Sequence, residues 1–209
     1  MRISHLHKFI FLSRYKCAST SIRRALDPFS DIKSSQSPPY YHHGSLADLE
    51  VHLREMGFSL EEYFVFTTIR HPVAMLGSLY DYGFPDRGGR YWWERHWDRV
   101  SNNVAVPLAE RATDDLAPFR EWVLEHDLTR FTADPFVRDA SGAVRADRVL
   151  RTEALETEFS EVAEKLGLGR LQAPRLNTGP GLDHEFDSAM LQHVRVAFRT
   201  DAMLGGYVI

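Results

Sequence analysis

The chain holds a single cysteine, Cys17, in 209 residues. No disulfide can form within it, and that usage fits a reducing compartment. No apolar run approaches the roughly 20 residues that span a bilayer. The opening stretch MRISHLHKFIFLSRYK offers too short a hydrophobic run before Arg14 and Lys16 to read as a signal peptide. An excess of either charge is missing too: 25 basic residues stand against 29 acidic ones, a formal net charge of −4. Nucleic-acid binding through bulk charge is disfavoured by that balance. Internal repeats, metal ligands at a recognisable spacing and domain-boundary signals are all absent from the sequence. At this length it reads as one domain, residues 1–209, able to bury a core without staples. Glycine is the most telling absence, since none occurs between Met1 and Gly44. The G-x-x-x-x-G-K-[ST] loop of ATPases and kinases cannot be written there.

What that stretch does contain is FIFLSRYKCASTSIRRAL, Phe9–Leu26. Phe9–Leu12 is a continuous apolar run of the kind a buried parallel strand shows. Over Ala18–Leu26, Ile22, Ala25 and Leu26 recur at helical spacing, with Arg23 and Arg24 on the opposite face. Lys16, Ser19, Thr20 and Ser21 fall where strand becomes helix. A helix N-terminus attracts anions, and hydroxyls and an ammonium add donors, so the turn reads as a phosphate cradle. Taken alone, the same turn reads equally as Ser19 capping a helix beside a solvated Lys16.

A second segment, FVFTTIRHPVAMLGSLYDY, repeats the design. Phe64–Ile69 is a β-branched and aromatic strand. Arg70 ends it, His71 can cap, and Pro72 starts a helix running to Tyr82. Val73, Leu76, Leu79 and Tyr80 form that helix's apolar stripe, and Ser78 lies off it. Arginine's planar fork suits a phosphate, and ligands of open α/β sheets gather beyond the carboxyl ends of strands. An ordinary Arg70 ion pair with a surface Ser78 is the bland alternative.

Together the two segments resemble the sulfotransferases that use 3′-phosphoadenosine 5′-phosphosulfate. Lys16-Cys17-Ala18-Ser19-Thr20-Ser21 is similar to their 5′-phosphosulfate loop K-x-A-[GS]-T-S. Arg70, Pro72 and Ser78 are similar to their 3′-phosphate motif R-x-P-x5-S. The likeness is nearest to Golgi-type carbohydrate sulfotransferases and their bacterial relatives. It continues through Val149-Leu150-Arg151 with Glu153 and Leu155, through Leu176-Asn177-Thr178, and through Asp201 to Gly206-Tyr207. Gly83–Thr132 is the least matched part. The resemblance implies a single-domain, P-loop-like α/β fold, with a central parallel sheet flanked by helices. It implies a cytoplasmic enzyme that moves a sulfuryl group from that donor to a hydroxyl or amine of a small-molecule or glycan acceptor, leaving adenosine 3′,5′-bisphosphate. Donor contacts fall on Arg14, Lys16, Cys17, Ala18, Ser19, Thr20, Ser21, Arg70 and Ser78, with Lys16 also stabilising the leaving phosphate. A non-catalytic relative that only binds the nucleotide is one alternative; a nucleotide kinase of related architecture is another, disfavoured by the missing glycines.

Related glycosaminoglycan enzymes carry a catalytic histidine between the two phosphate motifs. The pattern H-x-[ST] places it on His43, with His42 second; the bland reading makes both capping or packing residues. Histidine suits proton removal near neutral pH. In the segment YGFPDRGGRYWWERHWDR, Tyr91, Trp92 and Trp93 offer faces for an acceptor ring, although core packing explains them slightly better. Gly83, Gly88 and Gly89 hint at a lid. Elsewhere the Ser- and Pro-rich loop Asp27–Tyr41 belongs to the site. A helix from Ser45 to about Met56, one started by Pro118, one over Ala154–Leu166 stopped by Gly167, and a last one through Phe186, Met190, Val194 and Phe198 complete the reading.

Overall fold

The computed structural model describes residues 1–35, 40–174 and 184–209. Leu176-Asn177-Thr178, and Pro38 and Pro39 of the early loop, lie outside the described residues. Five strands make one sheet: β1 (Arg2–Ser4), β2 (Phe9–Leu12), β3 (Ile32–Lys33), β4 (Phe64–Ile69) and β5 (Arg148–Arg151), ordered β3-β1-β2-β4-β5. β2 pairs parallel with β4, with Phe9 opposite Phe64, and β4 pairs parallel with β5, with Ile69 opposite Arg151. β1 runs antiparallel to both β2 and β3. The expected α/β architecture is present, but the sheet is mixed rather than wholly parallel. Only four residues join β1 to β2, and so short a connection can form a hairpin but not a crossover.

The helices are α1 (Ser19–Leu26), α2 (Leu46–Glu55), α3 (Pro72–Gly83), α4 (Trp92–Arg95), α5 (Trp97–Ser101), α6 (Leu108–Arg111), α7 (Phe119–Glu125), α8 (Asp134–Val137), α9 (Leu155–Lys165), α10 (Ser188–Ala197) and α11 (Arg199–Gly205). Ile10 and Leu12 of β2, with Ile3 and Val65, pack on Leu46, Leu49 and Leu53 of α2. Phe9, Phe11 and Phe66 face the other way, against Ile22 and Leu26 of α1 and Phe159 and Val162 of α9. Helices on both faces explain why β2 is apolar at every position. A third cluster beyond the strand ends gathers Leu76, Leu79, Met190, Val194 and Phe198 around the fully buried Trp122.

Local signals are mostly obeyed. Ser45 Oγ caps α2 by accepting the Asp48 N–H at 3.1 Å. Gly167 takes φ 69° just past α9, as a C′ glycine does. The expected last helix is instead two, because the chain breaks at Phe198 between α10 and α11. Among the described residues no helix is long and apolar enough to cross a membrane.

Candidate functional site

Because β2 and β4 are parallel neighbours, the turns that follow them open on the same edge of the sheet. After β2 the chain enters a tight turn in which Lys16 and Ala18 both adopt left-handed backbone, φ 54° and 55°. Each such non-glycine residue costs on the order of 1–2 kcal/mol. Tyr15–Ala18 close a hydrogen-bonded turn, yet among the described residues no well-aligned backbone hydrogen bond leaves the N–H groups from Lys16 to Thr20. Consecutive unpaired N–H groups in such a turn form an anion-binding concavity. Ser19 is not the cap of α1: Ala18 holds that position, and Ser19 Oγ donates to the Arg14 carbonyl at 2.6 Å, cinching the turn. Thr20 is exposed, Ser21 is buried, and Thr20 Oγ1 accepts from Arg23 Nη2 at 3.3 Å.

Arg70 follows β4 directly, and its Nη1 lies 3.5 Å from the Lys16 carbonyl. Lys16 Nζ sits over the Tyr82 ring, 4.0 Å from its centroid. Burial, and then the nearby Arg70 charge, lower the Lys16 pKa. Asp81 opposes this from beyond ion-pair distance and is itself paired with His184 at 2.7 Å. Among the described residues, Lys16, Arg70, Arg23 and Arg111 have no carboxylate within 4 Å, whereas Lys8, Arg90, Arg99 and Arg148 do. Two cations held together without a counter-charge are electrostatically unfavourable until an anion arrives. Ser78 stands one helical turn before Tyr82 on α3, on the same flank as the ring under Lys16.

Two expected donor contacts are corrected. Arg14 is 1% exposed; its Nη2 donates to Asp201 Oδ1 at 2.6 Å and to the Phe131 carbonyl at 2.7 Å. Its guanidinium is thus committed inside the protein, and the Nε donor that remains is itself buried away from the surface. Cys17 is fully buried, and burial pushes its thiol up to about 11, so only its backbone can serve a ligand.

The two histidines are brought to the loop but held differently. His43 Nδ1 lies 2.7 Å from the Ser13 carbonyl. A carbonyl only accepts, so Nδ1 carries the proton and the Nε2 lone pair is free. Burial lowers its pKa to about 3. His42 Nδ1 faces Arg23 Nη1 at 2.5 Å and Ser34 Oγ at 2.8 Å. Arginine only donates, so His42 Nδ1 is the acceptor and its lone pair is already used. Burial and the Arg23 charge lower His42 to about 4. Of the two, His43 alone keeps a lone pair available.

The His43 ring stacks on Tyr15 at 3.7 Å, Tyr15 lies 6.1 Å from Trp93, and Trp93 stacks on Tyr91 at 4.6 Å. Tyr91 is 2% exposed and accepts a hydrogen bond from Trp122, and Trp92 is 8% exposed. Both are core rather than acceptor platform, and of the three only Trp93, between Tyr15 and Tyr91, stays half-buried. Gly83 belongs to this packing, since a Cβ there would stand 2.6 Å from the Tyr91 ring. It is a contact glycine, not a lid hinge. His71 occupies the N-cap position of α3 without capping it; its Nε2 meets the Val208 carbonyl at 3.1 Å. Sequence reasoning missed Tyr15, Arg23 and Tyr82, each of which touches a predicted site residue. A signal existed for Arg23, which lies one turn after Thr20 on the polar face of α1.

A cavity of about 410 Å³ lies at the opposite edge of the sheet, between Lys8, Glu62, Asp147 and Lys165, and a smaller one of about 250 Å³ adjoins Gly89, His126 and Arg130. Neither is lined by Lys16, Arg70 or His43. No protein-family model matches the chain, and no curated protein is significantly similar to it.

Proposed function

We propose that this chain is a sulfotransferase that takes 3′-phosphoadenosine 5′-phosphosulfate as donor substrate and sulfates a hydroxyl or amine of a small-molecule or glycan acceptor. The observation that carries this reading is the approach of Arg70 to Lys16, with no carboxylate within 4 Å of either cation among the described residues, beside a turn whose N–H groups are poorly satisfied. We read β2, that turn and α1 as a glycine-free counterpart of a P-loop, in which Lys16 and Ala18 adopt the left-handed backbone glycine would otherwise supply. The donor, when bound, supplies an activated sulfuryl group on a phosphate leaving group. The N–H groups of Cys17 to Thr20 and the Thr20 hydroxyl hold the 5′-phosphate. Arg70 and Ser78 hold the 3′-phosphate, which separates this donor from ATP. Lys16 neutralises charge that grows on the leaving oxygen. His43 Nε2 receives the acceptor's proton, and a neighbouring bound anion raises its affinity for that proton. A cytoplasmic location accompanies this reading, supported by the lone, buried Cys17.

Thermal shift with adenosine 3′,5′-bisphosphate, ATP and ADP tests it. Specific stabilisation by the bisphosphate is expected, and stabilisation by ATP alone would move the chain to the kinases. Arg70→Ala should weaken bisphosphate binding roughly ten- to a hundredfold, as the loss of one charge-assisted contact does. Lys16→Ala should depress turnover more than donor affinity. Binding with no transfer to any acceptor in a labelled-donor screen would make the chain a nucleotide-binding relative rather than an enzyme.

A further inference from the structure

The last helix, α11, touches the supports of both candidate phosphate cradles. Asp201 is fully buried, and its carboxylate receives Arg14 Nη2 at 2.6 Å and the Ala133 N–H at 2.7 Å. The Arg14 carbonyl in turn holds Ser19 Oγ, and the preceding carbonyl, of Ser13, holds His43. The anion turn and the free imidazole therefore hang from two consecutive residues whose position Asp201 sets. At its other end α11 closes with Gly206 at φ 65°. Gly205 lies so close to the following ring that a Cβ there would overlap Tyr207. The Tyr207 hydroxyl donates to Glu153 Oε2 at 2.8 Å, and Glu153 Oε1 accepts the His71 N–H at 2.9 Å. His71 is the residue next to Arg70.

Stability alone does not account for this arrangement. A buried ion pair is often no better than apolar side chains of the same volume, whereas it does fix direction. Arg14 Nε, Ser13 Oγ and Thr68 Oγ1 are moreover buried without a partner, so the corner around Arg14 keeps its polarity at a cost in stability. Such a corner serves geometry.

We propose that α11 and its closing turn are a rigid spacer between the two cradles, in which Asp201 positions the 5′-phosphate turn through Arg14 and Tyr207 positions Arg70 through Glu153 and His71. The proposal rests on the sulfotransferase reading and adds two positioning residues to it. Neither Asp201 nor Tyr207 touches the ligand.

The test compares binding of two probes, adenosine 3′,5′-bisphosphate and adenosine 5′-phosphate, to the full chain by calorimetry. Tyr207→Phe keeps the packed ring and removes only the hydroxyl. It should weaken the bisphosphate by roughly fivefold, the factor one hydrogen bond is worth, and leave the 5′-phosphate unchanged. Its effect should disappear in an Arg70→Ala background. Asp201→Asn should weaken both probes by a similar factor, with Asp201→Glu recovering part of it. Should Asp201→Asn fail to fold, the Tyr207→Phe comparison still decides. Tyr207→Phe binding both probes as the parent does, or losing both equally, would overturn the spacer. A parent protein that binds neither probe would instead overturn the sulfotransferase reading itself.

Discussion

His43 shows how one residue's surroundings decide its chemistry. The Ser13 carbonyl takes the Nδ1 proton and leaves Nε2 as the only basic atom of the ring. Burial then keeps that ring neutral down to about pH 3, and burial with Arg23 keeps His42 neutral to about pH 4. In the unfolded chain both titrate near 6.5. Between those values the unfolded state binds protons that the native state refuses. Stability from this source is therefore complete above pH 6.5 and declines as pH falls toward 3, by on the order of 1–2 kcal/mol per ring at pH 5. Urea denaturation at pH 7 and pH 5 measures it. His43→Gln should show the shallower decline; equal declines in parent and variant would mean that the buried ring does not resist protonation. The H-x-[ST] pattern put His43 ahead of His42 by resemblance alone; the physical reason was not legible, because the tautomers of His42 and His43 are set by partners 19 and 30 residues away.

At the scale of elements, α3 does two jobs: its start carries Arg70's neighbour His71, and its end presents Tyr82 to Lys16 and Gly83 to Tyr91. Gly83→Ala adds helix propensity worth up to about 1 kcal/mol. It also drives a methyl to 2.6 Å from a buried ring that is stacked on Trp93 and cannot swing away. We expect the clash to win, with a net loss of about 1–3 kcal/mol and a changed near-UV circular dichroism as the stack opens. A stability gain would show that the ring yields. The strands Phe9–Leu12 and Phe64–Ile69 were legible to the residue, because the first is an unbroken apolar run and the second breaks its run only with the β-branched Thr67 and Thr68. β1 and β3 were not, since three- and two-residue strands show no alternation and exist only through the hairpin that pairs them. The Trp-rich segment did not show from sequence alone what its arginines do. Arg95 spends its donors on the carbonyls of Phe84, Arg90 and Arg111 and staples backbone, whereas Arg87 and Arg90 stay exposed in ion pairs with Asp115 and Asp86.

Seen whole, the molecule divides its apolar interior into two clusters on the faces of the sheet and a third beyond its edge, centred on Trp122. That third cluster supports the floor of the proposed site from α3 and α10. Trp122→Ala should destabilise the fold by about 3–5 kcal/mol, and, if the cluster supports the site, bisphosphate binding should fall in the same denaturant range as the near-UV signal. Binding that outlasts the cluster would separate the two. Arg14 was misjudged as a ligand contact for a reason visible only at this scale: its partner Asp201 lies 187 positions downstream. That distance also bears on how the protein is made. A ribosome adding about 5–20 residues per second needs roughly ten to forty seconds after the turn to reach the carboxylate that steadies it. Until then a nascent chain carries an incomplete cradle, and any competence to bind the proposed donor should appear only after Asp201 has emerged and docked.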